Sequence, residues 1–394
     1  MLKAKLEEED GIRIYVGTDF GDDASPVGVV LCYEMKSNGS ILMECKDKRI
    51  DTGNECNNPG WMLMDKVHKC CWIWMENDEG MIYRYPMEGN TILPTVEWKQ
   101  RTHGQHPCYG ILTFPQNNQQ QEEEGYLLTA HYGNGNVTVL STHNDDVIIV
   151  NPGSTNGVPK IEDGYHHDRQ ESSHAHCIVS HPNSQLNLFA VCDLGFSTVT
   201  MYQLDQKNKK EELTTVTVLQ LRPEDGCRHC VWSPDGQYLY IQNELSCTLT
   251  IASWDEVTMR LQEVSTINIL PSNVIPNRNH HCGNSHLLLH PYNPHILYMG
   301  IRSSTPTGTI AILDVSSPKQ PIVKSYVSTH GMVPRHFSIL QQQKQKLYLV
   351  VGNQESKTIV VFTIHPHDGT LTYTSQTSTA PYKPCHIAST SSCT

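Results

Sequence analysis

No stretch of this sequence stays apolar for the roughly 18 residues that a membrane-spanning helix requires, so no membrane association is expected. The opening residues, MLKAKLEEEDG, lack the apolar core of a secretory signal. The expected location is therefore the cytoplasm, where the 14 cysteines are reduced thiols. Positive charge is scarce: 29 Lys and Arg face 41 Asp and Glu, for a formal net charge of −12. That balance repels a phosphate backbone and sets aside nucleic acid as a partner. An anionic ligand needs a local basic pocket working against the overall field. Familiar catalytic signatures are also missing. There is no Gly-x-Ser-x-Gly elbow, no Gly-x-x-x-x-Gly-Lys-Ser/Thr loop and no paired C-x-x-C zinc spacing. Nucleophilic serine catalysis and nucleotide binding therefore have no support.

What is present is a repeat. In GCRHCVWSPDGQYLYIQNE, from Gly226 to Glu244, two short apolar runs flank the turn Ser233-Pro234-Asp235-Gly236. A polar or aromatic anchor followed by such a pair recurs at Trp61, Tyr109, His176, His229, His286, His336 and His386, 48 to 67 residues apart. Third and fourth apolar runs follow in each unit, as in TLTIASWD and LQEVSTINIL. Four short strands at this period are the signature of a β-propeller blade.

The last unit supplies one strand, KPCHIAS, before the sequence stops. Residues 11–18, 29–33 and 41–45 match the second, third and fourth strands of a unit. The expectation is all-β: one domain over residues 1–394, a seven-bladed propeller whose ring is closed by N-terminal strands joining the C-terminal one. The runs QNNQQQEEE and QQQKQK fall at turns between first and second strands, where a solvated loop tolerates expansion.

In a propeller the first strand of each blade lines the central channel, and the end of the second strand returns to the same face. Arg228 and Glu244 are equidistant from Gly236 and are expected to meet at the channel rim. The same mapping pairs His174 and His176 with Asp193, His286 with Arg302, Arg335 and His336 with Asn353 and Gln354, and Trp61 with Glu76. The rim becomes a cationic funnel holding a few carboxylates, suited to a small anionic ligand.

These residues carry a resemblance. IYVGT at Ile14, HYGNGNVTVL at His131, Arg169-Gln170 followed by His174-Ala175-His176, the stretch CRHCVWSPDGQYLYIQNELSCTLTI, and VPRHFSI with VGNQESKTIVVF together resemble the lactonase family of seven-bladed propellers. That family includes propeller-type 6-phosphogluconolactonases and carboxy-cis,cis-muconate cyclases. His131 and Ile301 stand where that pattern has Asn. The resemblance implies a site at the channel mouth. From the cyclase branch it carries a His, two Arg and a Glu onto His174 or His176, Arg228, Arg302 and Glu244.

The expected function is hydrolysis of a small anionic sugar-acid lactone, 6-phosphogluconolactone first. His174, His176, Arg228 and Glu244 are the catalytic candidates. Arg302, Arg335, His229, His286, His336 and Asp193 are the substrate-binding candidates. The alternatives are a carboxymuconate-type cycloisomerase and a non-catalytic propeller that binds a metabolite or a protein. No cofactor is expected. His166-His167-Asp168 with His174 and His176 has metal-site spacing, but the resemblance accounts for His-Ala-His without a metal, so none is assigned. Cys227 and Cys230 form a C-x-x-C whose members should point to opposite faces of a strand, which argues against a redox pair. The oligomeric state is left open.

Overall fold

The computed structural model describes residues 12–19, 28–36, 38–51, 58–114, 125–142, 146–150, 168–207, 210–271, 283–302, 307–342 and 346–391. Blade 4 shows how local sequence builds the repeating unit. Cys227–Trp232 and Tyr238–Asn243, whose strand formers are Val231, Trp232, Tyr238, Tyr240 and Ile241, pair across the Ser233–Gln237 turn. Gly236 takes φ +70° there, its N–H donates to the Ser233 carbonyl, and Ser233 Oγ receives the Tyr238 N–H. Thr248–Asp255 and Arg260–Asn268 complete the sheet.

The described residues form seven antiparallel sheets of four or five strands. Blades 1 to 6 cover residues 59–101, 107–150, 175–220, 227–268, 283–328 and 334–378. Blade 7 joins Lys383–Ser389 to Ile12–Asp19, which pairs in turn with Val29–Met35 and then Ile41–Glu44. The ring is thus closed as the repeat implies. No helix among the described residues is long and apolar enough to cross a membrane.

The core lies between blades. Each hydrophobic cluster draws on two neighbouring sheets, and the clusters occupy the seven interfaces in turn. The blade 1–2 interface is typical. Trp74 is fully buried, its indole N–H donates to Thr129 Oγ1 at 2.9 Å, and a Cβ at Gly110 would stand 2.2 Å from its ring. Only glycine lets the two sheets approach that closely.

A shared irregularity sets the site. In every blade the first strand carries a β-bulge at its channel-mouth end, next to the repeated anchor. The extra residue is Gly60, Cys108, His176, Arg228, Ser285, Arg335 or Cys385, read from where the register slips. A bulge places two residues against one and redirects the chain. Three expectations built on strict alternation change as a result. In blade 3 the anchor place belongs to Cys177, while His176 occupies the place held by Arg228 and Arg335 elsewhere. His286 does not pair with Arg302, whose partner is Gly283. Cys227 and Cys230 lie on the same side after all, packed in one cluster with Cys177 and Cys192 between blades 3 and 4.

Candidate active site

Three successive levels of the channel take one residue from each blade. The mouth level is set where second strands end: Glu76, Tyr132, Leu194, Glu244, Arg302, Gln354 and Asp19 in blades 1 to 7. Below it lies the bulge level, with His176, Arg228 and Arg335. The anchor level comes third.

The chemistry concentrates in blades 3 to 5. Glu244 is 2 % exposed and accepts three guanidinium donors: Arg228 Nη1 at 2.9 Å, Arg169 Nη2 at 2.9 Å and Arg302 Nη1 at 3.0 Å. Burial pushes its pKa up, but Arg302, Arg169 and Arg228 outweigh this and hold it well below the usual carboxylate range. Arg228, 5 % exposed, also donates Nε–H to the Ser285 carbonyl at 2.7 Å and presses Nη1 against His176 Nε2. Burial and then the Arg228 charge keep the His176 imidazole neutral. Burial, the larger effect, draws the Arg302 pKa down to about 9 against the pull of Glu244. Among the described residues Arg302 Nε and Nη2 have no hydrogen-bond partner. Three cations around one carboxylate leave an excess of two positive charges.

The groups expected to project at the rim are therefore buried. The bulge turns Arg228 inward, and the three ion pairs offset the cost of taking these charges out of water.

Arg169 was not among the sequence candidates, although it opens the Arg-Gln motif. It comes from the loop entering blade 3, and its Nε donates to Tyr132 Oη at 2.9 Å. The available signal was position alone, since a loop feeding a first strand lies at the channel mouth. Tyr132 stacks on His174 with centroids 4.5 Å apart. His174 Nδ1 meets the Tyr132 carbonyl at 2.6 Å, and its Nε2 meets Glu171 Oε1 at 2.9 Å, with Glu171 half exposed.

The remaining candidates divide. Asp193 spends its carboxylate on its own loop, accepting from Ser173 Oγ and from the backbone N–H of His174 and Phe196. It shapes the entry to blade 3. Arg335 sits on the far side of the mouth and donates to Glu76 Oε2 at 3.3 Å. Gly60 makes room for that pair, since a Cβ there would stand 2.6 Å from Glu76 Oε2.

His229, His286 and His336 belong to the anchor level. They form a closed circuit of rings with His386, Trp61 and Tyr109, with successive centroids 3.8 to 5.2 Å apart. Trp61 reaches across the channel to within 6.2 Å of His229, so the rings plug it. Burial holds all four imidazoles below their normal range, His386 at about 3. Among the described residues no group of three or more His, Cys, Asp or Glu is placed to hold a metal ion. His166 and His167 lie outside the described residues.

This arrangement can bind an anion and polarise a carbonyl oxygen with charged donors fixed in advance. The family model described as "Lactonase, 7-bladed beta-propeller" matches residues 34–387. A 6-phosphogluconolactonase of Bacillus subtilis (strain 168) is 23% identical over 362 residues, covering 90% of this chain and 93% of that one. A periplasmic gluconolactonase of Pseudomonas aeruginosa superposes with a TM-score of 0.76 at 21% identity, over 96% of this chain and 98% of its own. A putative 6-phosphogluconolactonase of Bacteroides fragilis gives 0.73 at 20%, over 97% and 98%.

Proposed function

The chain belongs to the seven-bladed β-propeller lactonase family, and from that premise we propose that it hydrolyses a small anionic sugar-acid lactone at the arginine-lined mouth. The observation that carries this reading is the unbalanced cluster on Glu244, with two cationic charges in excess and two unused donors on Arg302. A 6-phosphogluconolactone, with a phosphate dianion and an ester carbonyl, supplies the complementary charge and the reacting group. The gluconolactonase and 6-phosphogluconolactonase names among its relatives point the same way.

The reaction adds water to the carbonyl carbon and breaks the ring C–O bond. Arg228 and Arg302 stabilise the oxyanion of the tetrahedral intermediate, and Arg335 reaches the anionic tail. Glu244 is a poor base, because three guanidinium groups hold it ionised. Its role is to position them. His176 is likewise occupied, with Nε2 against Arg228. The proton of the attacking water goes to the His174–Glu171 pair and returns to the ring oxygen as it leaves. The reaction belongs in a reducing compartment, the cytoplasm, which suits a fold whose described cysteines are all free thiols.

The excess of two charges also matches a dicarboxylate, so cyclisation of a carboxymuconate is the second reading. The test is acid release from freshly made 6-phosphogluconolactone and from gluconolactone, above the spontaneous rate, beside lactone formation from a carboxymuconate. Acceleration of the first alone supports the phosphorylated substrate. Equal rates on both lactones place the phosphate outside recognition. Activity on the muconate alone replaces hydrolysis with cyclisation.

A further inference from the structure

The circuit of rings has a second face. Beneath it, at the channel end opposite the arginines, lies a cavity of about 440 Å³, within the size range of small-molecule sites. Its floor is the underside of Trp61, Tyr109, His286, His336 and His386, and its walls include Leu63, Ile111, Leu112 and Leu288 from the lower halves of first strands. Trp61 and Tyr109 are stacked there, with centroids 3.8 Å apart.

Two features define what fits. The lining holds one cation, the exposed Lys66, and one carboxylate, Asp65, which is already held by His68 at 2.7 Å. The imidazoles of the floor are packed against one another and stripped of water, so they present uncharged faces and edges. An ion set against the ring floor would lose its hydration and find no opposite charge there, whereas a flat apolar ring would bury its surface against aromatic and aliphatic carbon.

We propose that this cavity is a second binding site, for a neutral, planar, largely aromatic molecule. It is separate from the lactone site in place and in chemistry, and it stands whether or not lactone hydrolysis does.

The probe is 2-naphthol, titrated by calorimetry into the purified protein at pH 7. Saturable binding is expected with a Kd on the order of 100 µM. The anion 2-naphthoate should bind at least tenfold more weakly. Leu63→Trp and Leu288→Trp fill the cavity from positions that are only partly buried, and thermal unfolding verifies that each still folds. Each should weaken 2-naphthol binding tenfold or more while leaving lactone hydrolysis within twofold. No saturable binding up to millimolar concentration, binding unchanged in both folded variants, or tighter binding of 2-naphthoate would each overturn the proposal.

Discussion

The two ends of the channel are built by the same seven strands, yet one gathers a cluster of buried charge and the other is lined mainly by rings and aliphatic carbon. Arg228 and His229 are neighbours in sequence, as are Arg335 and His336. The arginines stay charged at the bulge level, while the imidazoles one residue below are driven neutral by burial. Both kinds of group are desolvated. The difference is that second strands deliver Glu244 and Glu76 to the arginines and nothing acidic to the histidines. In this fold, charge persists inside the ring only where a carboxylate arrives to meet it.

The sharpest way to break that contrast is Glu244→Gln. It leaves Arg169, Arg228 and Arg302 buried without their counter-charge, and removing one partner of such a network costs roughly 3–5 kcal/mol. Chemical denaturation should show that loss, and lactone hydrolysis should fall by at least about 100-fold as the guanidinium groups separate. Arg302→Ala removes a donor but also relieves like-charge crowding. Its stability should change little, while kcat falls about 100-fold in steady-state assays.

Acid separates the two ends by pH. Glu244 has a depressed folded pKa, so its contribution is present above the unfolded carboxylate value and is lost only as pH falls through the folded one. The anchor histidines behave differently. Their folded pKa values are also depressed, but from about 6.5, so the unfolded chain takes up protons first and stability declines from about pH 6.5 downward. The histidine plug should therefore weaken before the carboxylate cluster does. His386→Gln should flatten the stability–pH slope between pH 6 and 4 by up to about 1.4 kcal/mol per pH unit, measured by urea unfolding across that range. The smallest effect is expected from Asp193→Asn. The loop loses one acceptor, the oxygen that takes the Ser173 hydroxyl, at about 1 kcal/mol, and KM stays within twofold because the remaining oxygen still takes the His174 and Phe196 N–H groups.

The sequence shows the ring plainly. Anchors and turns recur in register, Ser233–Gly236 most clearly, and the incomplete last unit demands the strands at the other end. Arg228, Glu244 and Arg302 were also legible, because hairpin arithmetic is nearly correct at strand ends. The bulge was not. One extra residue per first strand carries no compositional mark, and it shifts His176 to the arginine level, puts Cys177 in its place and turns Cys227 toward the side of Cys230. Arg169 escaped for a different reason. It lies in a connecting loop, where no periodicity reports on direction.

Blade 7 gives the protein a timetable. Its innermost strand, Lys383–Ser389, is synthesised after the other six blades, and its partner Ile12–Asp19 before them. During translation that early strand waits with one edge open while six blades are made. His386 also arrives last, to stand between His336 and Trp61. The plug that divides the two ends of the channel is completed by the same event that closes the ring, so neither chamber has its floor until Lys383–Ser389 joins Ile12–Asp19.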